Sequence, residues 1–130
     1  MSDTEKITIN LGPVDLGKID LLVHEGLYSN RTDFIRTAIR SQIEQHGVEV
    51  QQSMTRHGRA FLIGVLRYDR RHLERLKEKG ERIDLKVVGS LTLGNDVTPD
   101  LAADVIERVQ VRGMFNASEE VKAALADRTQ

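Results

Sequence analysis

At 130 residues, 39% apolar and 30% charged, with a formal net charge of −1, the chain has room for one mid-sized domain or two very small ones. It contains no run of about 18 apolar residues, which excludes a membrane-spanning helix, and no cysteine, which removes disulfides, thiolate metal sites and cysteine nucleophiles together. The opening Met-Ser-Asp-Thr-Glu-Lys has no apolar core behind it, so no secretory signal is expected and a cytoplasmic protein is.

Residues 6–11, Lys-Ile-Thr-Ile-Asn-Leu, alternate strictly. Ile7, Ile9 and Leu11 fall on one face, Lys6, Thr8 and Asn10 on the other. Period two with β-branched residues predicts a half-buried strand, ended by Gly12-Pro13. From Val14 the period changes: Leu16, Ile19, Leu22 and Val23 recur every three or four residues, the stripe of an amphipathic helix. Gly26 suits the left-handed position after its last turn. Ser29 and Asn30 are good N-cap residues, and Asp33 follows Asn30 by three as in a capping box. The second helix carries Phe34, Ile35, Ala38, Ile39 and Ile43 on its apolar face and is expected to stop at Gly47.

A strand and two helices of this length cannot bury a core alone; domains near ~40 residues usually need disulfides, metal or a partner chain. The economical solution is a two-fold dimer whose strands pair antiparallel. Its core would be Ile7, Ile9, Leu11, Ile19, Leu22, Phe34, Ile35, Ala38 and Ile39. Lys6, Thr8 and Asn10 would then face outward twice. That face is either the wet side of a strand or a reader of bases, since a two-stranded ribbon fits the major groove. There Lys donates to guanine, Asn pairs with adenine, and Thr bonds or touches a thymine methyl.

The strand, the segment Ile19–Val23 before Gly26, and above all Gly26-Leu-Tyr-Ser-Asn-Arg-Thr-Asp-Phe-Ile-Arg-Thr-Ala-Ile-Arg40 resemble the ribbon-helix-helix family of DNA-binding proteins, the CopG/Arc/MetJ type. The resemblance covers residues 5–46. It implies that Lys6, Thr8 and Asn10 read base edges and that Ser29, Asn30 and Arg31 hold a DNA phosphate at the start of the second helix. Free N–H groups and the positive helix end both favour an anion there. The charge runs the other way: residues 1–46 hold 5 basic and 7 acidic side chains, residues 47–82 hold 9 and 5, and residues 83–130 hold 5 and 8.

Residues 47–58 have weak periodicity and read as a linker. Phe61–Leu66 reads as a short apolar strand, followed by a helix capped by Asp69, bearing Leu73 and Leu76 and closed at Gly80. A repeat follows. Residues 85–97 align with 109–121 at a shift of 24, matching Leu85/Val109, Val87/Val111, Gly89/Gly113, Leu91/Phe115, Leu93/Ala117, Val97/Val121 and Leu101/Leu125. Gly64 aligns with Gly89 at a shift of 25. Thr98 and Ser118 are placed to cap helices. A strand plus helix every ~24 residues predicts a short parallel βα stack.

The chain is therefore expected to be α+β. An N-terminal ribbon-helix-helix unit (1–46) for dimerisation and DNA binding is followed by a linker (47–58) and a small α/β repeat module (59–130). No catalytic constellation is visible, so no enzyme is expected. His24, His46, His57 and His72 form no ligand pair, and Asp96, Asp100 and Asp104 lack the glycine and terminal glutamate of a calcium loop. Nickel-responsive ribbon-helix-helix repressors have a similar layout, but their site uses several histidines and a cysteine, so no metal or other cofactor is expected. The leading expectation is a homodimeric, sequence-specific transcriptional regulator of double-stranded DNA, a repressor or autoregulator, with no membrane association. The C-terminal module would serve oligomerisation, effector sensing or a protein partner. The alternative is an interaction or assembly protein, or an antitoxin, acting through that module.

Overall fold

The computed structural model describes residues 4–55 and 62–130, which fall into two compact units, Thr4–His57 and a second beginning at Gly58. The first unit consists of α1 (Pro13–His24), α2 (Arg31–Gln45) and α3 (Gly47–Thr55). Proline opens α1, where its missing N–H costs nothing. At the other end Gly26 takes φ +85°, and its N–H donates to the Val23 carbonyl while that of Leu27 donates to Leu22. This is the paired closure that a left-handed glycine allows. Asn30 caps α2 through its side chain.

Two expectations for this unit need correction. Residues 47–58 are not a plain linker: Gly47 opens α3 instead of merely ending α2, and the helix runs to Thr55. The His46 carbonyl accepts from the Val50 N–H at 3.0 Å, so one residue closes α2 and starts α3. Glu49, Gln51, Gln52 and Met54 are strong helix formers, a propensity that weak apolar periodicity concealed. Second, residues 6–11, expected as a strand paired with that of a second chain, carry no strand pairing among the described residues. A lone strand has both edges open, and the ladder that would define it needs a partner from elsewhere.

The second unit is a three-stranded sheet in the order β1-β2-β3, with β1 (Leu62–Tyr68), β2 (Ile83–Leu93) and β3 (Ile106–Asn116) all parallel. Of the predicted strand 61–66, Phe61 lies outside the described residues, and the strand continues two residues beyond Leu66. Helices α4 (Arg70–Glu78), α5 (Pro99–Val105) and α6 (Glu119–Ala124) complete the βα alternation. They enclose one core with the sheet, in which Leu73, Val87, Leu91, Ile106, Val109 and Leu125 are fully buried. The helix-facing side of β2 presents Leu85, Val87, Leu91 and Leu93, interrupted by Gly89.

Strand register reproduces the repeat read from the sequence. Leu85 pairs with Val109, Val87 with Val111, Gly89 with Gly113 and Leu91 with Phe115, while Gly64 pairs with Gly89. The shift of 24 ends with the strands. Thr98 caps α5 by accepting from the Leu101 N–H, and Ser118 caps α6 by accepting from Val121. Leu101 therefore corresponds to Val121, not Leu125, and Val97 has no partner at position 121. The segment Gly94–Val97 between β2 and its cap is the insertion responsible.

The glycine column has a steric cause. Gly64, Gly89 and Gly113 adopt φ of +147°, +138° and +130°. A Cβ on Gly89 would lie 2.1 Å from the Gly64 carbonyl oxygen, and one on Gly113 would lie 2.0 Å from that of Gly89. The strands approach there through space that only glycine leaves free. At the far edge the chain returns: Thr129 bridges Val109 in parallel, the Gln130 N–H donates to the Val109 carbonyl at 2.8 Å, and Gln110 bonds Gln130 through their side chains.

Candidate nucleic-acid interface

The turn between α1 and α2 is held from both sides. The Asp33 N–H donates to the Asn30 side chain at 2.8 Å, and the Ser29 N–H donates to the Asp33 carboxylate at 2.9 Å. The cap expected at Asn30 is formed, but the return bond differs from the capping box the spacing predicts: the Asp33 carboxylate reaches the N–H of Ser29, one residue before the N-cap. Tyr28 packs edge-on against Phe34, with ring centroids 5.0 Å apart. These contacts fix the first turn of α2 in an exposed position. The N–H groups of Arg31 and Thr32 have no carbonyl four residues back within the helix.

Arg31 is engaged from the other direction. Its guanidinium donates to Asp20 on α1 through Nε and Nη2, both at 2.8 Å. The hydrogen bonds and charge of Arg31 hold the Asp20 carboxyl below its ordinary range, and Asp20 raises Arg31 in return. Sequence reasoning placed Arg31 correctly at the helix start but missed this partner. No pattern in the sequence marked it, since the two residues lie eleven positions apart across the turn that brings them together.

Between α1 and α2 runs a groove of about 520 Å³ lined by Ile9, Leu11, Asp15, Lys18, Ile19, Leu22, Phe34, Ile35, Ala38 and Ile39. Eight of the nine residues assigned to the dimer core line it; Ile7 alone does not. Of these only Ile19 is buried, and Ile7 and Ile9 are 73% and 57% exposed. Lys6, Thr8 and Asn10 are exposed on the same segment. The described residues thus hold an open apolar groove, an exposed segment beside it, and a capped helix start.

Among the described residues no group of three His, Asp or Glu side chains could hold a metal ion, and no helix is long and apolar enough to cross a membrane. His72, unassigned in the sequence, accepts from the Asp69 N–H through Nδ1 at 3.1 Å and so helps to start α4.

Residues 2–122 match the Ribbon-Helix-Helix transcriptional regulator family, and the chain belongs to it. The match runs far past residue 46, so the βα module is part of what the family shares. No curated protein and no solved structure matches the chain. Regulators of this family bind DNA and typically dimerise, and the family is generally non-enzymatic.

Proposed function

We propose that two copies pair residues 6–11 into an antiparallel ribbon that enters the major groove and represses transcription, including that of the protein's own gene. The observation that carries this reading is the groove between α1 and α2. Its lining is the residue set that a second ribbon and helix pair would cover, and it stands open in the single chain. Covering an exposed Ile side chain stabilises by about 1.5–3 kcal/mol, so closing the groove twice offsets the cost of ordering the arm. Lys6, Thr8 and Asn10 are then displayed twice, related by the two-fold axis, as a palindromic operator requires.

Ser29, Asn30 and Arg31 are assigned to a phosphate flanking the site. The backbone at the start of α2 supplies the donors and the positive helix end. Arg31 keeps guanidinium N–H groups beyond the two that meet Asp20, so it can face a phosphate without leaving its partner. The acidic surplus of the first 46 residues lowers the non-specific contribution. Specific base contacts then carry more of the affinity.

The test is binding to DNA from upstream of the protein's own gene, followed by fluorescence anisotropy. Replacing Lys6, Thr8 and Asn10 by Ala removes contacts worth about 1–3 kcal/mol each. Specific binding should vanish while the dimer stays folded. Unchanged operator affinity overturns the reading. The same acidic surplus favours one rival, in which the first unit only dimerises and the βα module binds a protein, as in an assembly factor or antitoxin. DNA affinity that falls steeply with salt rejects that rival.

A further inference from the structure

The two edges of the βα sheet are not alike. The outer side of β3 is met by the chain's own end, through Thr129 and Gln130 at Val109. The outer side of β1 has no strand from the described residues beside it. Stacked βα coils need their end units covered, and among the described residues only one end is. Natural edge strands are usually blunted by charge, proline or a bulge. The run Leu62-Ile-Gly-Val-Leu66 has neither charge nor proline, and Leu62, Ile63 and Val65 are 52%, 59% and 69% exposed.

Gly64 narrows what belongs on that edge. At Gly89 and Gly113 the direction of the missing Cβ points at the carbonyl of the preceding strand. Gly64 repeats their backbone twist, with φ +147°, so its missing Cβ points out of the open edge. Among the described residues nothing stands within 4 Å of that position. Two glycines of the column are explained by a neighbouring strand in the same chain. The third has the same geometry and no such neighbour among the described residues.

We infer that β1 pairs edge to edge with β1 of a second copy, whose backbone fills the space Gly64 leaves. A second β1 fits better than a partner's β3, because the chain end already occupies part of that strand's outer side. Like-with-like pairing about a two-fold axis also closes on itself, whereas β1 on β3 would run on into a fibre. Charge permits it: Leu62–Leu66 bring no like charges together, and Arg67, the next residue, is held by Asp69 at 3.1 Å. The interface is separate from the N-terminal ribbon and does not depend on it.

The chain has no cysteine, so a single introduced thiol reports one position. In the full-length protein, Val65→Cys should give a covalent dimer with a short bis-maleimide, and Arg112→Cys, exposed on β3, should not. Adding Val65→Lys to an Ile63→Cys chain should abolish that chain's cross-link, because like charges meet across the edge. Cross-linking at position 65 no greater than at 112 overturns the inference, as does persistence of the Ile63→Cys product when Val65→Lys is present. An Ile9→Cys chain run in parallel reports the ribbon instead. Its success with failure at 65 rejects only the β1 pairing, and the reverse result rejects only the ribbon.

Discussion

Replacing Gly89 by Ala tests the glycine column that joins the three strands. The added Cβ would stand 2.1 Å from the Gly64 carbonyl oxygen, against an ordinary contact of 3.4 Å or more. That oxygen belongs to backbone and has no flexible end to swing aside. The strands must part by about 1.3 Å, which stretches ladder bonds near 2.9 Å beyond any useful length. Two lost buried bonds cost about 1–3 kcal/mol each, and an L side chain at φ +138° costs about 1–3 kcal/mol more. The sum, roughly 3–9 kcal/mol, rivals the whole stability of a small domain. The control is Gly80→Ala. Gly80 also has positive φ, at +67°, but nothing lies within 4 Å of its missing Cβ, so only the backbone term applies, about 1–2 kcal/mol. Urea unfolding followed by far-ultraviolet circular dichroism should show a modest shift for Gly80→Ala and loss of the cooperative sheet transition for Gly89→Ala. Equal shifts in the two variants would refute the steric account of the column.

Two further predictions concern the start of α2. Asn30→Ala should lower stability by about 1 kcal/mol through loss of its bond to the Asp33 N–H, and Asn30→Gly by only a few tenths; thermal melts of the three chains check the order. Asp20, held below its ordinary pKa by Arg31, contributes stability that is present above the ordinary value of 3.8 and lost as pH falls through the depressed one. In Arg31→Ala the Asp20 carboxyl should titrate at higher pH by NMR, and a midpoint that does not move contradicts the pairing.

Much of this fold is legible because its signals are local. Gly26 and Gly80 close helices where the apolar periodicity ends, and Asn30, Thr98 and Ser118 cap helices at the positions their side chains suggest. The strand repeat is legible because register in a parallel stack matches equivalent residues, so a sequence shift becomes a ladder. The repeat misleads at Val97/Val121 because loop length is free to vary where no ladder enforces it. Helix α3 escapes notice because its residues favour helix by propensity and not by pattern. The Arg31–Asp20 pair escapes because eleven positions of separation say nothing about distance until the turn is built.

The two unfinished surfaces differ in kind, and that difference sets how each can be altered. The groove of the first unit is bounded by side chains, and its proposed closure by a second copy would depend on apolar area. Changes among Ile, Leu and Val there cost little when volume is kept. The open edge of β1 offers backbone N–H and C=O groups, which pair whatever side chains flank them. Under the proposed pairing it is intolerant at Gly64, where a Cβ would enter the path of the second β1; within the described residues nothing stands within 4 Å of that position. A charge at Ile9 would therefore damage the ribbon and leave the sheet edge intact, whereas a charge at Val65 would do the reverse. Since the two lie in separate compact units, each proposed contact can be removed while the other persists. DNA binding should follow the first unit's closure and not the second's.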